Sequence, residues 1–198
     1  MIPKKNLPKK NKPWIFKAKI DDFELLNDTL LECVEGLPSE GYSGVTKVDH
    51  RHNKNGKPIY FDLLFNAVCP HLKQLAIANR LKEPKRSDIE ISMWFQQYQN
   101  NSFFNWHTHN QTYAMVYFCE LPYGGQVTTE MVDVWQKELF AVDAEVGDMI
   151  VFPAFIPHRS PPNTTHERKT VFSANINFKN AMVDVELIDT GVDLFCKV

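Results

Sequence analysis

Between Ile89 and Phe178 the chain carries a succession of short apolar segments, each closed by a turn signal within ten residues. Ile89–Tyr98, Tyr113–Cys119, Gln126–Thr129, Met149–Phe152 and Val171–Phe178 are the strand-like pieces. Gly124-Gly125, Gly147-Asp148 and Pro161-Pro162-Asn163 punctuate them. Short strands bury their apolar faces only by packing sheet on sheet or by rolling into a barrel. The 14 Phe, 6 Tyr and 4 Trp suit such an interior, because flat rings pack well on pleated surfaces.

The first eighty residues have a different texture. Phe23, Leu26, Leu30 and Val34 recur at helical spacing, Asp21 or Asp22 is placed to cap them, and Gly36 with Pro38 ends the run near Glu35. Val45–Val48 reads as a short strand, and Asn53–Pro58 as a turn in which Asn55-Gly56 supplies positive φ. Phe61 to about Leu81 is helical again, and Pro70 inside it predicts a kink or two shorter helices. The pattern predicts an α+β, mainly β protein with supporting N-terminal helices. Residues 1–20 form a basic N-terminal arm, and 21–198 a single domain with helical support over 21–84 and a β core over 89–180.

The chain has 198 residues and a formal net charge of −2, which excludes a general electrostatic attraction to nucleic acid. The charge is uneven, with Lys4, Lys5, Lys9, Lys10, Lys12, Lys17 and Lys19 at the start and Asp184, Glu186, Asp189 and Asp193 near the end. The expectation for the arm is a solvated, extended segment spaced by Pro3, Pro8 and Pro13; the other reading is a contact for a phosphate-bearing or acidic partner. Cys33, Cys69, Cys119 and Cys196 form no CxxC pair and read as reduced thiols. No apolar run approaches the roughly 18 residues of a membrane span, and none follows the first lysines as a secretory signal requires. A cytoplasmic protein is expected.

Three histidines carry the chemistry. In Asn105-Trp106-His107-Thr108-His109, residues two apart share a strand face, so both imidazoles can reach one point. His158 follows a turn and a buried strand, Gly147-Asp148-Met149-Ile150-Val151-Phe152. Two neighbouring ligands and one distant one put three donors on one side of a metal and leave the opposite positions open. A second pair, His50-Arg51-His52, lies beside Lys54 and Lys57, whose charge opposes a dication, and reads as a solvated loop. Ten residues beyond His158 stands Arg168, which a hairpin across Pro161-Pro162-Asn163 would turn toward His158. There it could grip a carboxylate with two parallel hydrogen bonds. Its plainer alternative is a surface ion pair.

This order of Tyr98, His107-Thr108-His109, Gly124-Gly125, Gly147–Phe152, His158, Arg168 and Thr170 resembles the 2-oxoglutarate/iron(II) oxygenase superfamily, above all its prolyl-hydroxylase-like branch. The resemblance runs from about Trp94 to Phe178. It implies a double-stranded β-helix (jelly roll), iron(II) held by His107, His158 and His109, and 2-oxoglutarate and O2 as co-substrates. Arg168 would hold the distal carboxylate of 2-oxoglutarate, aided by Thr170 and Tyr98. The implied reaction is hydroxylation of a C–H bond, with a prolyl or other peptidyl side chain as the substrate by analogy.

One departure stands out: the common pattern has Asp or Glu where this chain has His109. A three-histidine site, a two-histidine site completed by water or an anion, and a carboxylate from elsewhere all remain open. Two other classes compete. A cupin-type metal-dependent dioxygenase shares the rolled sheet, although Tyr113 and Ala114 stand where its glutamate is expected. A non-catalytic binding module would leave the histidines as polar core residues bonded to Asn105, Asn110 or Asn175. Expected partners are a small-molecule co-substrate and a peptide or protein substrate, with no membrane. Nucleic acid enters only through the basic arm.

Overall fold

Alternation along the long strands divides the apolar residues into two layers, and that division creates the interior cavity. The computed structural model describes residues 7–37, 40–49, 57–123 and 128–183. Numbered in chain order, seven strands form the larger sheet in the order β2 (Phe16–Lys19), β10 (Asp148–Pro153), β7 (Tyr113–Glu120), β12 (Lys169–Phe178), β5 (Ile89–Tyr98), β4 (Val45–Val48) and β3 (Glu40–Tyr42). Five form the smaller sheet: β1 (Lys9–Lys10), β9 (Glu138–Val142), β8 (Glu130–Asp133), β11 (His158–Ser160) and β6 (Phe104–His107). Met93 and Phe95 of β5, Met115 and Tyr117 of β7, Met149 and Val151 of β10 and Phe172 of β12 face the helices. Trp94 and Tyr98, Val116 and Phe118, Ile150 and Phe152, and Val171 face the smaller sheet. Successive side chains leave a strand on opposite faces, so each strand serves both layers. The two packed sheets with their helices form the jelly roll of a double-stranded β-helix.

Helices α1 (Phe23–Glu35) and α2 (Phe61–Ala78) cover the larger sheet. Pro70 neither breaks nor divides α2. It lies on the exposed side with Asn66, whose carbonyl loses its helical donor but stays in reach of water. The expected aspartate cap of α1 does not form: Asp22 adopts left-handed φ of 49° and makes no side-chain capping bond. The helix start is fixed by packing instead. Phe23 lies over Gly147, where an added Cβ would stand 2.3 Å from the ring, and Gly147 has φ of +83°.

Residues 7–20 are not a solvated arm. Strand β1 pairs in parallel with Ala141 and Val142, and β2 pairs with residues 148–151 of β10. Lys10 meets Glu138 at 2.7 Å, Lys12 meets Asp133 at 2.9 Å and also Glu138, and Lys17 meets Asp148 at 2.9 Å. These lysines neutralise acids of the same domain and are spent on holding the two sheets.

Strands β1, β2, β3, β6, β9 and β11 are additions to the expected set; of the strand expected at 126–129, residues 126 and 127 lie outside the described residues, Thr128 and Thr129 are not in a strand, and β8 occupies Glu130–Asp133. The Asn53–Gly56 part of the turn, the His50-Arg51-His52 pair, Pro38, Gly124-Gly125, the acids from Asp184 onward and Cys196 lie outside the described residues. Among the described residues no helix is long and apolar enough to cross a membrane.

Candidate metal centre

His107 and His158 are direct cross-strand partners where β6 meets β11, and their ring centroids are 4.2 Å apart. The register slips between His158 and Ser160, because the single residue Arg159 of β11 opposes two of β6, Asn105 and Trp106. That irregularity lets Phe104 and His107 both line the cavity, which an unbroken alternation would forbid. His109 reaches the same place by another route. Strand β6 ends at His107, and His109 lies in the following loop, where its amide donates to the Ala154 carbonyl at 2.9 Å. Its ring stacks on His158 with an interplanar angle of 15°, and the two Nε2 atoms are 3.3 Å apart.

The ligand atoms of the three histidines all lie within 4.8 Å of one another. The Nδ1 of His107 is 2.8 Å from the Asn105 carbonyl, and the Nδ1 of His158 is 2.9 Å from the Ile156 carbonyl. A carbonyl only accepts, so each Nδ1 carries the proton and each Nε2 presents a lone pair. Burial, with the neighbouring His107 and His109, pushes His158 down to about 3, and burial also lowers His107. Both rings are therefore neutral donors at ordinary pH. Two nitrogens each about 2.1 Å from one ion lie roughly 3.0–3.4 Å apart, so the His109–His158 spacing fits a shared cation. Among the described residues no Asp or Glu joins the cluster, nor does any line the cavity. The donor set suits a divalent transition metal whose double charge no protein carboxylate reduces.

The cavity has a volume of about 420 Å³. Its inner end is formed by Tyr98 and Lys169, partners across β5 and β12. Lys169 is 1% exposed, its Nζ donates to Ser160 Oγ at 2.8 Å, and it lies 5.1 Å from the Tyr98 ring centroid. No carboxylate stands within 4 Å of it among the described residues, and burial brings its amine down to about 7 against the opposing pull of Glu130. Burial raises the Tyr98 phenol, opposed by Ser160 and Gln96, so it stays protonated. Ser160 stands two residues beyond His158, a step of about 6.6–6.8 Å along one strand face. Ser160 thus ties the buried amine, which comes from the larger sheet, to the strand of the smaller sheet that carries His158.

Arg168, the residue expected to grip a carboxylate, does not reach the cavity. Arg168 faces away from the cavity and forks Glu120, with both nitrogen–oxygen distances 2.8 Å, and Thr170 also bonds Glu120. Lys169, between them, turns inward. Strand β12 begins at Lys169 rather than Val171, and alternation from that start sends 169, 171, 173 and 175 to the cavity. Tyr98, His107, His109 and His158 do line the cavity. Lys169 and Ser160 are the residues that sequence reasoning missed.

No family model and no curated protein sequence matches the chain. Solved structures do. A prolyl-4-hydroxylase from Pseudomonas putida superposes with a TM-score of 0.58 at 12% identity, over 84% of this chain and 94% of that one. The fold is that of the prolyl hydroxylases. AviO1 from Streptomyces viridochromogenes Tue57 has a TM-score of 0.56 at 16% identity, over 85% and 91%. A prolyl hydroxylase from Trichoplax adhaerens, in complex with a hypoxia inducible factor oxygen degradation domain peptide fragment, has 0.54 at 10%, over 92% and 89%. The prolyl-hydroxylase fold accounts for two layers, a rolled sheet and helices on one side. The residues of the cavity must speak for the chemistry.

Proposed function

We propose that the protein is an iron(II)- and 2-oxoglutarate-dependent oxygenase with a three-imidazole metal centre. The observation that carries this reading is the pairing, in one cavity, of three converging imidazoles with a fully buried lysine, where among the described residues no acid lines the cavity and no carboxylate meets the lysine. A buried ammonium without a counter-ion is unfavourable, and so is an uncompensated dication. A dicarboxylate relieves both at once. Lys169 would hold its distal carboxylate with Ser160 and Tyr98, while the keto-acid end faces the histidines.

Iron bound there would supply activation of O2 and oxidative decarboxylation of the keto acid. In sum, 2-oxoglutarate, O2 and R–H become succinate, CO2 and R–OH. The chain's own residues orient the keto acid, keep three neutral nitrogens on one side, and line the remaining space with Trp94, Phe104, Ala114 and Val116, which exclude water. The likeness to a prolyl-4-hydroxylase and to a peptide-bound prolyl hydroxylase supports a peptidyl substrate.

The test is calorimetry of 2-oxoglutarate with metal-loaded protein, followed by succinate release under O2. Lys169→Ala should weaken binding by about 10–100-fold, the range of a lost charge-assisted hydrogen bond, whereas Arg168→Ala should leave it unchanged. Equal effects of the two substitutions would remove Lys169 from the site. Oxygen consumption indifferent to the keto acid would favour the cupin-type dioxygenase, and absence of metal binding the non-catalytic module.

A further inference from the structure

The inward face of β12 forms a ladder of four side chains: Lys169, Val171, Ser173 and Asn175. Each rung stands about 6.6–6.8 Å from the next. Lys169 is at the inner end, opposite Tyr98, and Ser173 is opposite Trp94, whose ring is 6.1 Å from His109. The level of Trp94 is therefore the level of the histidines. Asn175 is one rung further out, between Ser92 of β5 and Ala114 of β7. The histidine cluster separates it from Lys169.

Asn175 is peculiar in two ways. Its Oδ1 is buried and has no hydrogen-bond partner, and the side chain makes no hydrogen bond to any described residue. It is also the residue shared by the metal cavity and an open groove lined by Ser92, Gln111, Asn177 and Arg86. Its neighbours do not behave so: Asn177 Oδ1, two residues on, accepts from both the amide and the hydroxyl of Thr112. An unmet buried acceptor is destabilising, and an apolar side chain of the same size would avoid the penalty. An acceptor kept in that state, beside the reactive centre and at the neck of a groove, is explained by a ligand that completes it.

We infer that Asn175 is a specificity-determining residue that selects a substrate carrying an N–H or O–H donor close to the carbon to be oxidised. This deepens the proposed function and rests on it, since it names the substrate class of the same site. An unsubstituted amide or a hydroxyl satisfies the requirement. A prolyl nitrogen, which has no hydrogen, does not. The substrate class is thus a donor-bearing one, approached through the adjoining groove, and the prolyl ring of the structural relatives is disfavoured at this position.

The experiment uses matched probes, 2-pyrrolidinone against N-methyl-2-pyrrolidinone and cyclopentanol against methoxycyclopentane, with binding read by ligand-observed NMR on the full chain loaded with Zn(II) and 2-oxoglutarate. The wild type should bind the donor-bearing member of each pair at least fivefold tighter. That preference should vanish in both Asn175→Leu and Asn175→Ala. Asn175→Leu should also raise the melting temperature of the ligand-free protein by about 2–4 °C, as relief of one unmet acceptor would. The inference is overturned if the wild type shows no preference, absence of binding by every probe included. It is equally overturned if the preference survives both substitutions, or if both variants melt lower than the wild type. Calorimetry of 2-oxoglutarate on the same samples keeps the two readings apart. Normal keto-acid binding without probe discrimination sinks this inference alone, and lost keto-acid binding in the wild type sinks the proposed function.

Discussion

His158 stands directly opposite His107 across the β6–β11 ladder, and both rings turn their Nδ1 atoms toward a backbone carbonyl two residues earlier in the chain. Strand pairing and carbonyl together fix each imidazole in position and in tautomer before any ion arrives.

Without metal the protein should lose stability in acid. His158 titrates near 3 in the folded protein and near its ordinary 6.5 when unfolded. The unfolded state then binds more protons as pH falls from about 6.5 toward 3, so stability drops over that window, by a few kcal/mol in all. Melting curves of metal-free protein should show this slope. His158→Gln, which cannot titrate, should flatten it.

Lys169 produces a second window of the same sign on the alkaline side. Its amine sits near 7 when folded and 10.5 when unfolded, so the ligand-free protein gains stability as pH rises between those values. A bound dicarboxylate favours the ammonium form. Affinity for 2-oxoglutarate should therefore be flat below pH 7 and fall by up to about tenfold per unit above it. Calorimetry in buffers of different ionisation enthalpy should detect proton uptake above pH 7; an absence of uptake would mean that Lys169 does not face the ligand.

Gly147→Ala should be destabilising by about 2–4 kcal/mol, combining a left-handed φ with a collision against Phe23. Denaturant unfolding of Gly147→Ala in a Phe23→Ala background should recover part of that loss. Full additivity of the two substitutions would show that the ring and the glycine are not in contact.

Lys12→Ala should lower stability by about 1–3 kcal/mol, because it leaves Asp133 largely buried without its cation. Asp133 keeps the amides of Trp135 and Gln136, each at 3.0 Å, so the loss is partial. Removing residues 1–13 should lower the melting temperature further. An arm that can be removed without change in melting would have to be bound loosely, contrary to its pairing with β9.

The apolar pattern was enough to find the long strands and both helices, because Ile89–Tyr98 and Tyr113–Glu120 hold periodic apolar side chains along their length. It missed β6 and β11, whose residues are histidine, arginine, serine and asparagine beside a few rings. The histidines were legible from spacing, although His109 arrives by a loop and not by strand alternation. Lys169 was hidden for a related reason: Lys169 and Thr170 are buried polar residues, so the apolar pattern starts two residues late and the facing of Arg168 comes out reversed. The arm did carry a signal. Lys17 and Lys19 alternate with Phe16, Ala18 and Ile20, a period of two that the lysine count obscured.

The pairing of the first strands with the last part of the sheet has a bearing on how the protein is made. Lys10 finds Glu138 128 residues later in the chain, and Lys17 donates to the Asp143 carbonyl 126 residues later. During synthesis residues 9–19 must therefore wait, unpaired, until residues 138–151 have left the ribosome, and closure of both sheets follows only then. Chains dominated by such distant pairings fold slowly, and nascent copies expose their sheet edges in the meantime.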